Sequence, residues 1–208
     1  MHSFLRRIRW AALMVAFLQQ SIPAFCQASE ANHVFPQERV DLHAVFSGRV
    51  RLLSEDAPSF VARPSVMVFL FLSADCPLCR SYSVILNRLY RRFGAQAVFY
   101  GMIPGRADPD SSVLAFAQKY HLLFPLYRDG DFSVTKRLHA SITPQAIVLD
   151  GQGRLIYSGL IDDQVTGLGM QRAQSNRHYL EDALSAQIAG QRPLTSRTTP
   201  IGCLINMY

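Results

Sequence analysis

The stretch Val66-Met67-Val68-Phe69-Leu70-Phe71-Leu72-Ser73-Ala74-Asp75-Cys76-Pro77-Leu78-Cys79 decides the fold. Its first seven residues form an unbroken apolar run. A strand with one face in water would alternate, so this run suits a strand covered on both faces of a sheet. The period then changes. Leu78, Tyr82, Ile85, Leu86, Leu89 and Phe93 recur at steps of three and four, with arginines and serines between them and Gly94 after them. That spacing predicts an amphipathic helix ending at the glycine. The two cysteines stand where the buried strand gives way to the first turn of the helix.

This position has chemical consequences. The first turn of a helix carries unpaired N–H groups and a partial positive charge. Both stabilise a thiolate, which is the species that attacks disulfides. Pro77 suits the first helical position because no needed N–H is lost there. At about 100° per residue Cys79 falls at the edge of the apolar stripe and Cys76 lies further from it. Cys76 is therefore expected to be an exposed nucleophile, and Cys79 the shielded thiol that resolves a mixed disulfide. Asp75 opposes the helix terminus, since an adjacent carboxylate raises a thiol pKa unless water or a cation screens it.

Working outward, residues 40–53 alternate loosely around Ser47-Gly48 and suggest a short hairpin. Residues 97–103 are a second apolar run. Asp108-Pro109 reads as a cap and first-turn proline, opening a helix to about Tyr120. Residues 122–127 read as a third strand and 132–139 as a short helix. Residues 146–149 and 155–157 flank Asp150-Gly151-Gln152-Gly153, a hairpin signal. A last helix is expected over 175–189, with Leu180, Leu184 and Ile188 on one face. Phe124, Tyr127 and Tyr157 are expected in the core, and Asp162-Asp163 in a turn or cap. Strands alternating with helices give a parallel sheet, and the late hairpin adds antiparallel strands. The fold class is α/β: a mixed central sheet with helices on both faces and an N-terminal hairpin extension.

Residues 1–28 read as a secretory signal peptide. Arg6, Arg7 and Arg9 form a basic start, residues 10–18 a short apolar run, and small residues lead to Ala28. The run falls short of the ~20 residues that span a bilayer. An uncleaved leader acting as an anchor is the alternative. The expected division is a leader at 1–28, a domain at 29–190 and a tail at 191–208. Losing three arginines and no acid takes the formal charge from +6 to +3. No basic stripe with interleaved aromatics appears, so nucleic acid is not an expected partner. Arg88, Arg91 and Arg92 read as a solvated helix face. Of four cysteines, Cys26 leaves with the leader, and Cys76, Cys79 and Cys203 remain. An odd count leaves one thiol unpaired or makes it a partner in exchange. The expected location is exported, in a periplasm that permits disulfides.

Residues 71–79 resemble the active-site corner of thioredoxin-like proteins, and Ser141-Ile142-Thr143-Pro144-Gln145 resembles their cis-proline loop. The wider resemblance, over about residues 35–205, is to bacterial exported redoxin-domain proteins of the alkyl hydroperoxide reductase/thiol-specific antioxidant and thioredoxin-like group. Gly159-Leu160-Ile161-Asp162-Asp163-Gln164 and Thr199-Pro200-Ile201-Gly202-Cys203 look like one branch of it, whose members often lack the second active-site cysteine. The resemblance implies a thioredoxin-like fold and thiol–disulfide oxidoreductase activity with Cys76 and Cys79 as catalytic residues. It also implies a substrate groove at Pro77, Thr143 and Pro144, and a cis bond before Pro144. Protein dithiol or disulfide clients and an electron donor would be the partners, with no cofactor and no metal. Cys203 is expected to fold back towards Cys76 as a second resolving thiol.

Two other readings use the same residues. A thiol peroxidase of the peroxiredoxin type would place a hydroxyl at Ser73. It would also need a proline where Phe69 stands and an arginine where Pro144 stands, and that guanidinium would stabilise charge on the peroxide. A copper or zinc carrier would use Cys76, Cys79 and Cys203, or a histidine such as His139, since thiolates suit both metals. A zinc site usually shows paired ligand spacing, and there is one CxxC here.

Overall fold

The structure, a computed structural model, describes residues 39–41, 45, 50–53, 65–167 and 169–207. The stretch 1–28 expected to be a leader, with Cys26, lies outside the described residues. In chain order the elements are β1 (Val50–Leu52), β2 (Val66–Phe71), α1 (Pro77–Phe93), β3 (Val98–Pro104), α2 (Asp110–Lys119), β4 (Leu126–Asp129) and α3 (Ser133–Arg137). They continue with β5 (Ile142–Thr143), β6 (Gln145–Asp150), β7 (Leu155–Gly159), β8 (Val165–Gly167), β9 (Met170–Gln171), α4 (Tyr179–Ile188) and β10 (Cys203–Leu204).

Six strands form the central sheet in the order β1-β4-β3-β2-β6-β7. β2, β3 and β4 are parallel, joined through α1 and α2, as parallel strands need a crossover. β6 runs antiparallel to β2, and β7 and β1 close the edges antiparallel to β6 and β4. This is the mixed α/β sheet expected from the sequence.

Every residue of β2 is buried, and alternation sends its side chains to two cores. Val66, Val68 and Leu70 pack with Leu86 and Leu89 of α1, Val113 of α2 and Leu184 of α4. Met67, Phe69 and Phe71 pack with Val134 of α3, Leu138 and Val45 on the opposite face. Each such side chain contributes about 1.5–3 kcal/mol when fully buried. Phe124 and Tyr157 are buried as expected, and Tyr127 is partly so.

Several boundaries differ from the sequence reading, each for a local reason. β4 starts at Leu126 because Pro125 has no N–H for the ladder, and the Leu123 N–H is taken instead by Asn87 Oδ1 at 3.0 Å. α4 starts at Tyr179 because the preceding chain wraps Asp163. Its Oδ1 accepts from the Asn176 and Arg177 amides at 2.7 and 2.9 Å. The expected hairpin over 40–53 has its described arms on different partners. Val40 N donates to Gly153 O at 2.7 Å, whereas Val50–Leu52 pairs with β4. Loose alternation marks edge strands without saying which edge each will cover. The tail is also part of the domain, with its strand β10 paired to β5.

Candidate active site

Cys76 is the N-cap of α1, with extended backbone at φ −75° and ψ 117°, and Pro77 opens the helix. No acidic side chain lies in the first turn, so nothing there neutralises the positive end of the helix. Asp75 points into solvent with Arg80 3.5 Å away, a cation placed to offset it. Arg80 also ties the loop by donating Nε–H to Ala74 O at 2.9 Å.

The structure corrects one expectation directly. Cys76 is not exposed: it is 2% accessible, and Cys79 beneath it is 0% accessible. In its protonated form the Cys76 thiol donates to Thr143 O, which lies 3.2 Å from the sulfur. Thr143 and Pro144, joined by a cis peptide bond, are both buried, while Pro77 is exposed. The helical wheel placed Cys76 away from the α1 stripe, but it carries no information about the loop and tail strand lying above the helix end.

β10 runs antiparallel to β5 with Cys203 opposite Thr143 and Leu204 opposite Ile142. Thr143 Oγ1 donates to Cys203 O at 3.5 Å, and Ile205 N donates to Ser141 O at 2.9 Å. The expected return of the tail to the site is thus what the fold does. Cys76, Cys79 and Cys203 are free thiols, with Cys203 half-buried.

The three sulfurs are electrostatically unequal. The Cys79 thiol donates a hydrogen bond to Cys76, and this is the chief reason that Cys76 falls from an ordinary 9.0 to about 5. Burial opposes the fall, and a second donation from the Cys203 thiol adds to it. Cys79 is raised, first by burial and then by the hydrogen bond its thiol donates to the Cys76 thiolate. Cys203 is pushed up to about 12 by the same causes in the same order. The site therefore holds one thiolate and two protonated partners at neutral pH.

The Redoxin family model matches residues 56–172, more than half of the chain. The chain belongs to the Redoxin family. Among curated proteins none matches this redoxin's sequence. It is similar in structure to a hypothetical protein from Sinorhizobium meliloti 1021, at TM-score 0.61 and 24% identity over 69% of this chain and 80% of the other. An uncharacterized conserved protein from Geobacillus kaustophilus gives TM-score 0.59 and 23% identity over 69% and 77% of the two chains. These likenesses concern the fold.

Two supports of the redoxin site were not read from the sequence. Asp108, buried, accepts the Ala74 N–H at 2.8 Å and so anchors the loop before Cys76; α2 begins beyond it, with Pro109 as N-cap. An Asp-Pro pair signals a cap equally well, and only the neighbouring strand end distinguishes the two. Tyr82, one turn along α1 from Cys79, donates to buried Asp162 at 2.6 Å. Its hydroxyl pKa is raised, first by burial and then by that carboxylate. This bond ties the cysteine helix to the loop after β7. Among the described residues no three His, Cys, Asp or Glu side chains form a group set to hold a metal.

Proposed function

We propose that this redoxin is an exported thiol–disulfide oxidoreductase acting on protein clients, with Cys76 as nucleophile and Cys79 as resolving thiol. The observation that carries the reading is the unequal pair at the start of α1: Cys76 at the helix N-cap, 3.2 Å from the carbonyl before a cis proline, with its pKa lowered chiefly by the thiol of a fully buried Cys79. The Cys76 thiolate attacks one sulfur of a client disulfide, forming a mixed disulfide and releasing the other client thiolate, which takes a proton. Cys79 then loses its proton and attacks Cys76 Sγ. The mixed disulfide breaks, the second client thiol leaves, and the Cys76–Cys79 disulfide holds the two electrons' worth of oxidation. A dithiol donor reverses this on the enzyme. Binding at Thr143 and Pro144 would bring the client against Cys76 once β10, which pairs with Thr143, moves aside, because Thr143 O lies 3.2 Å from that sulfur.

Localisation rests on the leader at 1–28, which fits export to a periplasm where disulfides persist. Two arginines among the described residues offer no free guanidinium to a peroxide. Arg80 is committed to Ala74 O and Asp75, and Arg128 to Gly105 O and Asp110. The test is reduction of insulin disulfides with dithiothreitol as donor. Cys76→Ser is expected to fall to the uncatalysed rate. A Cys76→Ser protein with undiminished activity overturns the assignment.

A further inference from the structure

The tail is fitted to this domain at two places. Beside β7, Ser158 N donates to Ser196 O and Thr198 N to Ser158 O, both at 3.0 Å. Thr198 Oγ1 accepts the Leu160 amide at 2.8 Å and shares a hydrogen bond with the buried Tyr157 hydroxyl at 2.7 Å. Beyond Pro200 the chain crosses to β5, and Gly202 passes so close that a Cβ there would stand 2.1 Å from Thr143 O. Only glycine permits that approach. It sets the next residue, Cys203, opposite Thr143, whose carbonyl oxygen lies 3.2 Å from Cys76 Sγ.

We propose that Cys203 is a third catalytic thiol: β10 holds it against Cys76 as a second resolver, and the Cys76–Cys203 disulfide locks the tail strand over the nucleophile. The inference rests on the reading of Cys76 as the attacking thiolate. In the resting site Cys203 keeps its proton and donates a hydrogen bond to Cys76. Once Cys76 is tied to a client sulfur its charge is gone, and with it two of the three causes that hold the Cys203 proton. Cys203 is half-buried, so solvent can take that proton, whereas Cys79 is sealed. The Cys203 thiolate attacks Cys76 Sγ, the Cys76–client bond breaks, and the client thiolate leaves and is protonated. In net terms a disulfide and two protein thiols become two thiols and the Cys76–Cys203 disulfide. Attack by Cys79 on Cys76 Sγ then moves the disulfide to Cys76–Cys79 and frees the tail.

The experiment uses the full chain carrying Cys79→Ser, with oxidised glutathione as the disulfide. After alkylation of free thiols, non-reducing peptide mass spectrometry reads the pairing. A Cys76–Cys203 link is expected. Adding Gly202→Ala is expected to slow that link about a hundredfold, as a displacement of about 1 Å can do, and to leave glutathione on Cys76. In the linked chain the Ile205 amide should exchange with deuterium more slowly than in the reduced chain; unchanged exchange overturns the lock. If Cys79→Ser keeps glutathione on Cys76 while Cys203 is alkylated, the third thiol is overturned and Cys76 stands as nucleophile. If Cys76 takes up no glutathione, both readings fall. A Gly202→Ala chain that links as fast as its parent overturns delivery by the strand.

Discussion

Cys79 and Cys203 both offer a proton to the same sulfur, but they reach it by different routes. Cys79 arrives by helix geometry, three residues along α1 from Cys76, and is held at zero exposure by the apolar face it belongs to. Cys203 arrives on a two-residue strand from the far end of the chain and stays half-buried. A partner supplied by a continuous helix is always present. A partner supplied by a short strand can leave, because few backbone bonds must open. On the proposed reading the first thiol would fix the chemistry, and the second would couple it to cover over the site.

The sharpest way to break this comparison is to remove both donors. In a Cys79→Ala/Cys203→Ala chain, Cys76 loses both thiol donors and keeps its burial, the residue-79 backbone amide and Thr143, so its pKa should rise from about 5 towards the ordinary 9.0. At pH 6 the thiolate fraction then falls by up to about a thousandfold, at tenfold per pKa unit. The rate of iodoacetamide alkylation of Cys76 measures it, against a wild-type profile half-maximal near pH 5. The single variants sharpen the comparison. Cys79→Ala should cost about tenfold or more at pH 6, and Cys203→Ala less, because the Cys79 bond is the larger cause. The reverse order would make the tail thiol the dominant partner.

A pH series on stability tests the same charges. Cys76 is depressed on folding, so its contribution is fully present above the unfolded value near 9 and is lost as pH falls towards 5. Cys79 and Cys203 are raised, and act oppositely, losing their contribution as pH climbs above 9. The Tm difference between wild type and Cys76→Ser should therefore widen from pH 5 to pH 9, and a flat difference contradicts the thiolate.

Two further changes act away from both thiols. Asp108→Asn keeps an acceptor oxygen for the Ala74 amide and loses the charge, which should lower stability by about 0.5–1.5 kcal/mol in urea unfolding while both resolving routes remain. Arg92→Ala removes an exposed ion pair with Glu181, leaving Arg88 3.4 Å from the same carboxylate. The expected loss is about 0.2–1 kcal/mol, with no change in either thiol's reactivity.

The sequence by itself determined whatever is written in short-range periodicity. The run at 66–72, the three-and-four spacing from Leu78 to Phe93 and the Asp150–Gly153 turn specify the buried strand, the helix and the hairpin, because each is set by neighbours a few residues apart. The place of Cys76 and Cys79 at the helix start follows from the same local order. Tertiary structure decided the rest. That Asp108 holds the loop rather than capping α2, that Tyr82 meets Asp162, and that β1 and the residue 39–40 segment reach different strands depend on which surfaces come together. The burial of Cys76 is the clearest case. It depends on a two-residue strand too short to show any period, and on a glycine whose missing Cβ matters only because Thr143, remote in the chain, lies 2.1 Å from where that atom would be. Such fits are properties of non-local packing, and no pattern along the chain encodes them alone.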